Sequence, residues 1–248
     1  MFKEYGALST MLYEHTKPIS YSIDGDIEYY SKKLKNLSGR ILEAGVGTGR
    51  LLVPLIQSGL TVDGVDLSNE MLEQCKKNMD EHGVSGNLYN QDLTKLSLPY
   101  KYDAIIIPTG SFCLLPKLKI KEILNGFNNH LNNNGKVILD LEMPFDFKEG
   151  DSSSSKFSLS EDTGIILTTF NEKIDWFEQK VSSISKYELI KNGAVIETEY
   201  SNFTLYWYGI SEFEILLNQS GFKNIQYEIG YGKNLSQIIT FIAEKNDE

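Results

Sequence analysis

The sequence is short of arginine, cysteine and long apolar runs, and each shortage narrows what the chain can be. Arg40 and Arg50 are the only arginines among 24 basic residues, set against 34 acidic ones for a formal charge of −10. A bulk field of that sign repels phosphates, and the forked guanidinium that grips a nucleic-acid backbone is scarce, so no nucleic-acid partner is expected. Cys75 and Cys113 stand far apart, with no CxxC pair and no histidine nearby. That argues against a disulfide scaffold and a zinc site, and for two reduced thiols in a cytoplasmic protein with no metal. No run approaches the roughly 18 apolar residues of a membrane span, and Met1 to Lys17 lacks the apolar core of a signal peptide. The expectation is a soluble cytoplasmic protein, monomer or homodimer.

What is present is ordinary globular chemistry, 41% apolar and 23% charged over 248 residues. The length suits one large α/β domain, or one domain carrying an insertion. Strand and helix signals alternate through the first part of the chain. Arg40–Ala44 reads as a buried strand, Arg50–Ser58 as a helix stopped by Gly59, and Thr61–Leu67 as the next strand. Ser68 is a fitting N-cap for a helix to about His82, ended by Gly83. Leu88–Gln91, the β-branched run Tyr102–Ile107 and Lys136–Glu142 read as further strands, with an amphipathic helix over Ile120–Leu131 stopped by Asn132–Gly135. This alternation implies a parallel sheet with right-handed crossovers.

The pattern breaks after Pro144. Gly150–Ser155 reads as a polar, flexible stretch, and Ile165–Asn171, Trp176–Leu189 and Val195–Leu205 as strands of an antiparallel ribbon, with a hairpin at Lys191-Asn192-Gly193. A helix over Ser211–Ser220, with Ser211 and Glu214 as a capping box, precedes two last strands, Asn224–Tyr231 and Gln237–Glu244, joined through Gly232–Leu235.

The sharpest motif is Glu43-Ala44-Gly45-Val46-Gly47-Thr48-Gly49-Arg50, placed where a strand gives way to a helix. Its GxGxG spacing is not the GxGxxG of a dinucleotide loop, because Arg50 stands where the last glycine belongs, and no Gly-Lys-Ser/Thr follows to make a P-loop. Glu43 would repel a pyrophosphate but could serve an ammonium group. Asp66 lies 66 − 45 = 21 residues beyond the first glycine, where a carboxylate accepts bonds from ribose hydroxyls. Asp92 ends the third strand and can accept from an exocyclic adenine amine. Three carboxylates at the ends of adjacent parallel strands suit a ligand with a ribose, an adenine and a cationic amino-acid tail.

These segments resemble the class I S-adenosylmethionine-dependent methyltransferases. Glu43 to Arg50 is similar to their E-x-G-x-G-T-G-R loop, Gly64 to Leu72 to their G-x-D-x-S-x-x-M-L segment, and Tyr102 to Ile106 to their F/Y-D-x-I strand. Leu131 to Lys136 resembles their H-L-x-x-G-G turn with Asn134 in place of the first glycine, and Ser211 to Phe222 their late helix and Gly-Phe. The likeness runs from about Asp26 to Glu244. It implies a Rossmann-like α/β fold: a seven-stranded sheet, mostly parallel with an antiparallel last strand, plus a small antiparallel β insertion. It implies one domain over 1–248, with an N-terminal lid at about 1–36, a core at about 37–142 and 208–248, and the inserted ribbon at about 143–207.

The resemblance further implies that S-adenosylmethionine is the cofactor and S-adenosylhomocysteine the product. Gly45, Val46, Gly47 and Gly49 would border the methionine moiety, with Glu43 near its ammonium and Tyr13 folded over it. Asp66 would take the ribose, Leu67 and Met71 would flank the adenine, and Gln91, Asp92 and Leu93 would read its edge. Pro108 would sit beside the sulfonium. The sulfonium is already activated, so alignment and desolvation do most of the work, and no triad is visible. Pro108-Thr109-Gly110-Ser111 replaces the Asn/Asp-Pro-Pro-Tyr of adenine or glutamine methylation, and no Pro-Cys pair serves pyrimidine methylation. A small-molecule acceptor is expected, methylated at N, O or C, with Tyr29, Ser111, Phe112 and Tyr206 as substrate contacts and His15 or Tyr13 as candidate bases. The competing reading is a methyltransferase-like subunit that binds cofactor or a partner without turnover.

Overall fold

The computed structural model describes residues 5–232 and 238–246. The expected connection at Gly232–Leu235 lies largely outside them, and so does Gln237 at the start of the expected last strand. The chain divides into two units, one of Ile19–Met143 with the segment from Trp207 onward, the other of Pro144–Tyr206 with the N-terminal segment through Pro18.

The larger unit is a seven-stranded sheet. Its strands are β1 (Arg40–Ala44), β2 (Thr61–Asp66), β3 (Leu88–Asn90), β4 (Tyr102–Ile107), β5 (Leu131–Glu142) and, after an interval in sequence, two that end the chain (Phe222–Ile229 and Ile238–Lys245, β10 and β11 in chain order). The order is β10-β11-β5-β4-β1-β2-β3. β11 runs antiparallel to both neighbours, and the β5-β4-β1-β2-β3 pairs are parallel. Strand order therefore reverses between β1 and β4, and a crevice opens outside the carboxyl ends there. β1 and β4 are the central strands, and their apolar runs are buried, as a sheet covered on both faces demands.

Helices α2 (Asp26–Leu34), α3 (Leu52–Gln57), α4 (Asn69–Glu81), α5 (Ile120–His130) and α6 (Ile210–Gln219) complete this unit; α1 belongs to the other. The Ser68 hydroxyl accepts the Met71 N–H at 3.1 Å and starts α4, as its sequence predicts. Helix α6 starts earlier than expected. Gly209 precedes it, and the Gly209 N–H donates to Glu212 rather than Ser211 pairing with Glu214. The reason is geometric: the glutamate that reaches back is the one three residues after the last extended residue. The expected Asn132–Gly135 stop is a distortion in β5 itself. Tyr102 pairs with Leu131 and Ala104 with Lys136, and Asn134 takes a positive φ of 59° between them.

Helix α2 belongs with the core, so the expected lid of about 1–36 is divided at Pro18. Burial of Tyr29, Tyr30 and Leu34 against Ile41, Ile106 and Ile138 holds it there. So does a buried ion pair in which Arg50 meets Asp26 with both guanidinium nitrogens.

The smaller unit is a four-stranded antiparallel sheet, β6 (Ser152–Ser158), β7 (Thr163–Asp175), β8 (Lys180–Lys191) and β9 (Ala194–Tyr206), in sequence order. The stretch expected to be flexible is in fact edge strand β6, paired from Ser152↔Phe170 to Ser158↔Gly164. Its serines are exposed, and an edge strand needs only its main chain to pair. Trp176 and Phe177 form the exposed turn between β7 and β8 instead of opening a strand, with Gln179 at φ 51° closing the turn. Asn192 and Gly193 both take positive φ, 49° and 78°, the hairpin geometry their sequence predicts. Helix α1 (Ala7–Thr16) packs on this sheet. Its N-cap residue, Gly6, has no side chain to cap with, and Glu199 of β9 accepts the Leu8 and Ser9 N–H groups and the Ser9 hydroxyl instead.

Removing one member of a buried pair strands the other charge, so Arg50→Ala should destabilise the protein by about 3–5 kcal/mol. Lys76→Ala, which breaks an exposed pair with Asp80 on α4, should leave the urea midpoint nearly unchanged.

Candidate functional site

The crevice at the β1–β4 reversal is floored by the glycine loop. Gly45, Gly47 and Gly49 have φ of 75°, 54° and 82°, values that other L-residues adopt at a cost. The loop is fastened to β2: the Gly45 and Val46 N–H groups donate to the Val65 carbonyl at 2.8 and 3.1 Å. Gly49 is needed for space as well, since a Cβ there would lie 2.7 Å from Cys75 Sγ on α4. Val46 contributes backbone only. Its side chain is buried over Gly64, whose added Cβ would meet it at 2.8 Å.

Three carboxyl groups, in or just after β1, β2 and β3, stand in three different environments. Asp66, at the end of β2, accepts the Gly47 N–H at 2.8 Å on one oxygen and the Ser68 N–H at 2.9 Å on the other. Its two oxygens retain acceptor capacity for a ligand. Burial raises its pKa, and the Ser68, Gly47 and Leu67 amides oppose that. Asp92 is exposed and caps a short 3-10 turn over Leu93–Lys95 by accepting the Thr94 N–H at 2.8 Å. Glu43 is the outlier. It is 2% exposed, and its Oε2 has no hydrogen-bond partner. Burial pushes its carboxyl up to about 8; Arg50 opposes the rise, while Asp26 and Asp66 add to it.

The remaining expected residues fall into groups. Leu67 is 69% exposed beside Asp66, and Met71 is buried beneath the loop with Sδ 3.9 Å from where a Gly47 Cβ would stand. The Gln91 side chain is engaged with Ser97 through both amide atoms, and its main-chain N–H donates to the Asp66 carbonyl at 3.1 Å. Pro108 is buried at the end of β4, and Ser111 Cβ lies 3.6 Å from where a Gly45 Cβ would be, so the turn after β4 faces the loop. Phe112 is fully buried against Tyr208 and Phe213. Tyr29 is buried against Tyr30 and Tyr231. Tyr13 and His15 lie on α1 and Tyr206 at the end of β9, all in the smaller unit, with His15 exposed. Cys113 is a buried thiol pushed up to about 12 by that burial, which leaves it inert.

Sequence reasoning missed Asp140. It is fully buried near the carboxyl end of β5 and accepts the Thr109 N–H at 2.7 Å, the Thr240 hydroxyl at 2.6 Å and the Tyr231 hydroxyl. Two of these residues, Thr109 and Tyr231, have φ of 52° without being glycine, a conformation that needs outside support. Asp140 thus ties the turn after β4 to the far side of the sheet. The available signal was an acidic residue flanked by leucines, Leu139-Asp140-Leu141, within the strand Lys136–Glu142. Asn78 was missed too; its amide donates to the Thr48 carbonyl at 2.9 Å and braces the loop from α4.

Residues 41–135 match the family described as a methyltransferase domain. The chain is 29% identical over 122 residues to a putative methyltransferase of Geobacillus sp. (strain WCH70), a match covering 47% of this chain and 49% of that protein. The chain spans about half the length of the curated relatives it matches. Among solved structures, it superposes on a sugar N-methyltransferase from Streptoalloteichus sp. ATCC 53650 with a TM-score of 0.79 at 14% identity, covering 100% of this chain and 96% of that one. A methyltransferase from Clostridium acetobutylicum ATCC 824, described as S-adenosylmethionine-dependent, gives 0.76 at 17% identity, covering 95% and 97%. At those identities the likeness is one of fold.

Burial raises Asp140 to about 6 and Glu43 to about 8. Both bind a proton more tightly folded than unfolded, so each costs stability as the pH climbs from about 4 through those values. The Tm of the free protein should fall between pH 5 and pH 8, and fall less in Glu43→Gln. Asp140→Ala should cost about 2–4 kcal/mol by leaving buried donors unsatisfied. Asp140→Asn, which keeps an acceptor for Thr109, should cost clearly less in the same denaturation experiment.

Proposed function

We propose that this chain, which shares its fold with S-adenosylmethionine-dependent methyltransferases and matches a methyltransferase domain over residues 41–135, is an active class I S-adenosylmethionine-dependent methyltransferase that methylates an N, O or C atom of a small molecule. The observation that carries the reading is the crevice chemistry: an unpartnered buried carboxylate oxygen, a loop of positive-φ glycines and a carboxylate with free lone pairs, in that order across β1 and β2.

Those residues fit the cofactor. The Glu43 oxygen has the vacancy for an ammonium group and, once its proton is lost, the charge to match it. The glycine loop allows close approach without a Cβ. Asp66 has lone pairs for ribose hydroxyls, and exposed Leu67 offers an apolar surface for a flat ring. Bound there, the cofactor supplies a methyl group already activated on a sulfonium.

What remains for the protein is positioning and exclusion of water. Asp140 holds the turn Pro108–Ser111 in its positive-φ course, and that turn faces the loop. The acid–base demand is light, because a proton has to be removed only from an acceptor that arrives protonated. The acidic balance of the chain supports a small acceptor over a nucleic acid. Its likeness along the whole chain to a sugar N-methyltransferase supports the same class. Among the described residues no helix is long and apolar enough to cross a membrane. Two buried cysteines that form no disulfide support a cytoplasmic setting, and we place the protein there as a monomer or homodimer.

Isothermal calorimetry with S-adenosylhomocysteine tests the reading directly. Binding in the micromolar range is expected, and no heat at millimolar ligand would sink it. Asp66→Ala should weaken that binding by several-fold to a hundredfold, about 1–3 kcal/mol for a lost pair of charge-assisted bonds. Transfer of labelled methyl from S-adenosylmethionine to a fraction of a metabolite extract is the expected sign of turnover.

A further inference from the structure

Glu43 occupies an unusual electrostatic position. It sits inside the central strand β1, 2% exposed, with Oε2 lacking any hydrogen-bond partner. The charged groups facing it are Arg50 at the start of α3, Asp26 at the start of α2 and Asp66 at the end of β2. Arg50 is the only cation of the set, and it is turned elsewhere. Its guanidinium grips both oxygens of Asp26 and donates to the Tyr21 carbonyl at 2.6 Å. Asp66 accepts the Gly47 and Ser68 N–H groups, which oppose the rise that burial gives its carboxyl. Around Glu43 there are thus two other carboxylates and one guanidinium already matched by one of them. A second negative charge beyond that match, buried and without a donor on one oxygen, is costly to keep.

We propose that Glu43 is a neutral carboxylic acid in the free protein and releases its proton when the ammonium group of the cofactor's amino-acid tail takes its place beside Oε2, so that cofactor binding and deprotonation of Glu43 are one coupled event. The balance is simple. The O–H bond of Glu43 breaks, its proton passes to solvent, and the ammonium stays protonated to donate to the new carboxylate. The inference rests on the cofactor reading above. The upward shift of Glu43 to about 8 by burial agrees with the geometry. It follows that cofactor affinity is governed by pH across the neutral range. Below pH 8 the proton must be displaced, and affinity weakens about tenfold per pH unit.

The test is calorimetry of the full chain with S-adenosylhomocysteine at pH 7, in two buffers of different ionisation enthalpy. The dependence of heat on buffer counts protons released. Close to one proton per ligand is expected for the wild type at pH 7, with affinity weakening roughly fiftyfold between pH 8 and pH 6. Glu43→Gln should bind with no proton release and with affinity nearly flat over that range. The second probe, 5′-methylthioadenosine, has no amino-acid tail and should bind the wild type without releasing a proton. Wild-type binding without proton release overturns the proposal, and so does release that persists in Glu43→Gln. Failure of both probes to bind the wild type at millimolar concentration overturns the cofactor reading itself, and this inference with it.

Discussion

The buried pair between Arg50 and Asp26 is the interaction on which the rest of the site depends. Arg50 stands where a dinucleotide-binding loop would have its last glycine, so a long charged side chain just before α3 takes the place of a close approach to phosphate. That side chain turns inward and is 4% exposed. It closes on Asp26 and the Tyr21 carbonyl, and in doing so fixes α2 over the face of the sheet where Tyr29, Tyr30 and Leu34 are buried. The same choice of partner leaves Glu43 without a full counter-ion. One residue therefore holds the first core helix in place and, engaged there, offsets only part of the rise that burial gives the Glu43 carboxyl.

A second buried carboxylate performs the matching task on the other side of the strand-order reversal. Asp140 gathers a backbone amide and two hydroxyls, and two of the three residues it holds, Thr109 and Tyr231, have a strained backbone. The crevice is bounded on one side by β1 and β2 and on the other by the turn after β4, and each side is anchored by an acid buried in the sheet. The two acids differ in what they lack. Asp140 is satisfied on both oxygens, which suits a structural anchor. Glu43 is not, which suits a group awaiting a ligand.

Much of the architecture was legible because it is written in local chemistry. Gly45, Gly47 and Gly49 mark a strand-to-helix turn, Ser68 starts α4, Asn192-Gly193 turns a hairpin, and the alternation of runs gives a parallel sheet. Each depends on a few neighbouring residues. Illegible parts depend on partners remote in sequence. Strand β6 is serine-rich and reads as a flexible stretch because its stability comes from β7, not from its own side chains. Phe112 reads as a candidate substrate contact because nothing nearby in sequence shows that Tyr208 and Phe213 enclose it. Helix α2 reads as part of a lid because its buried partner, Arg50, is 24 residues away.

The sequence by itself determined the loop, the order of strands and helices around it, and the three acidic positions Glu43, Asp66 and Asp92, since positive-φ turns and strand ends are properties of short segments. Only the tertiary structure decided what each acid is. Asp66 is tied by two backbone amides, Asp92 is an exposed cap, and Glu43 is buried with one oxygen unpaired. The physical reason is that a carboxyl group's charge depends on its water, its donors and its neighbouring charges, and folding assembles all three from separate parts of the chain.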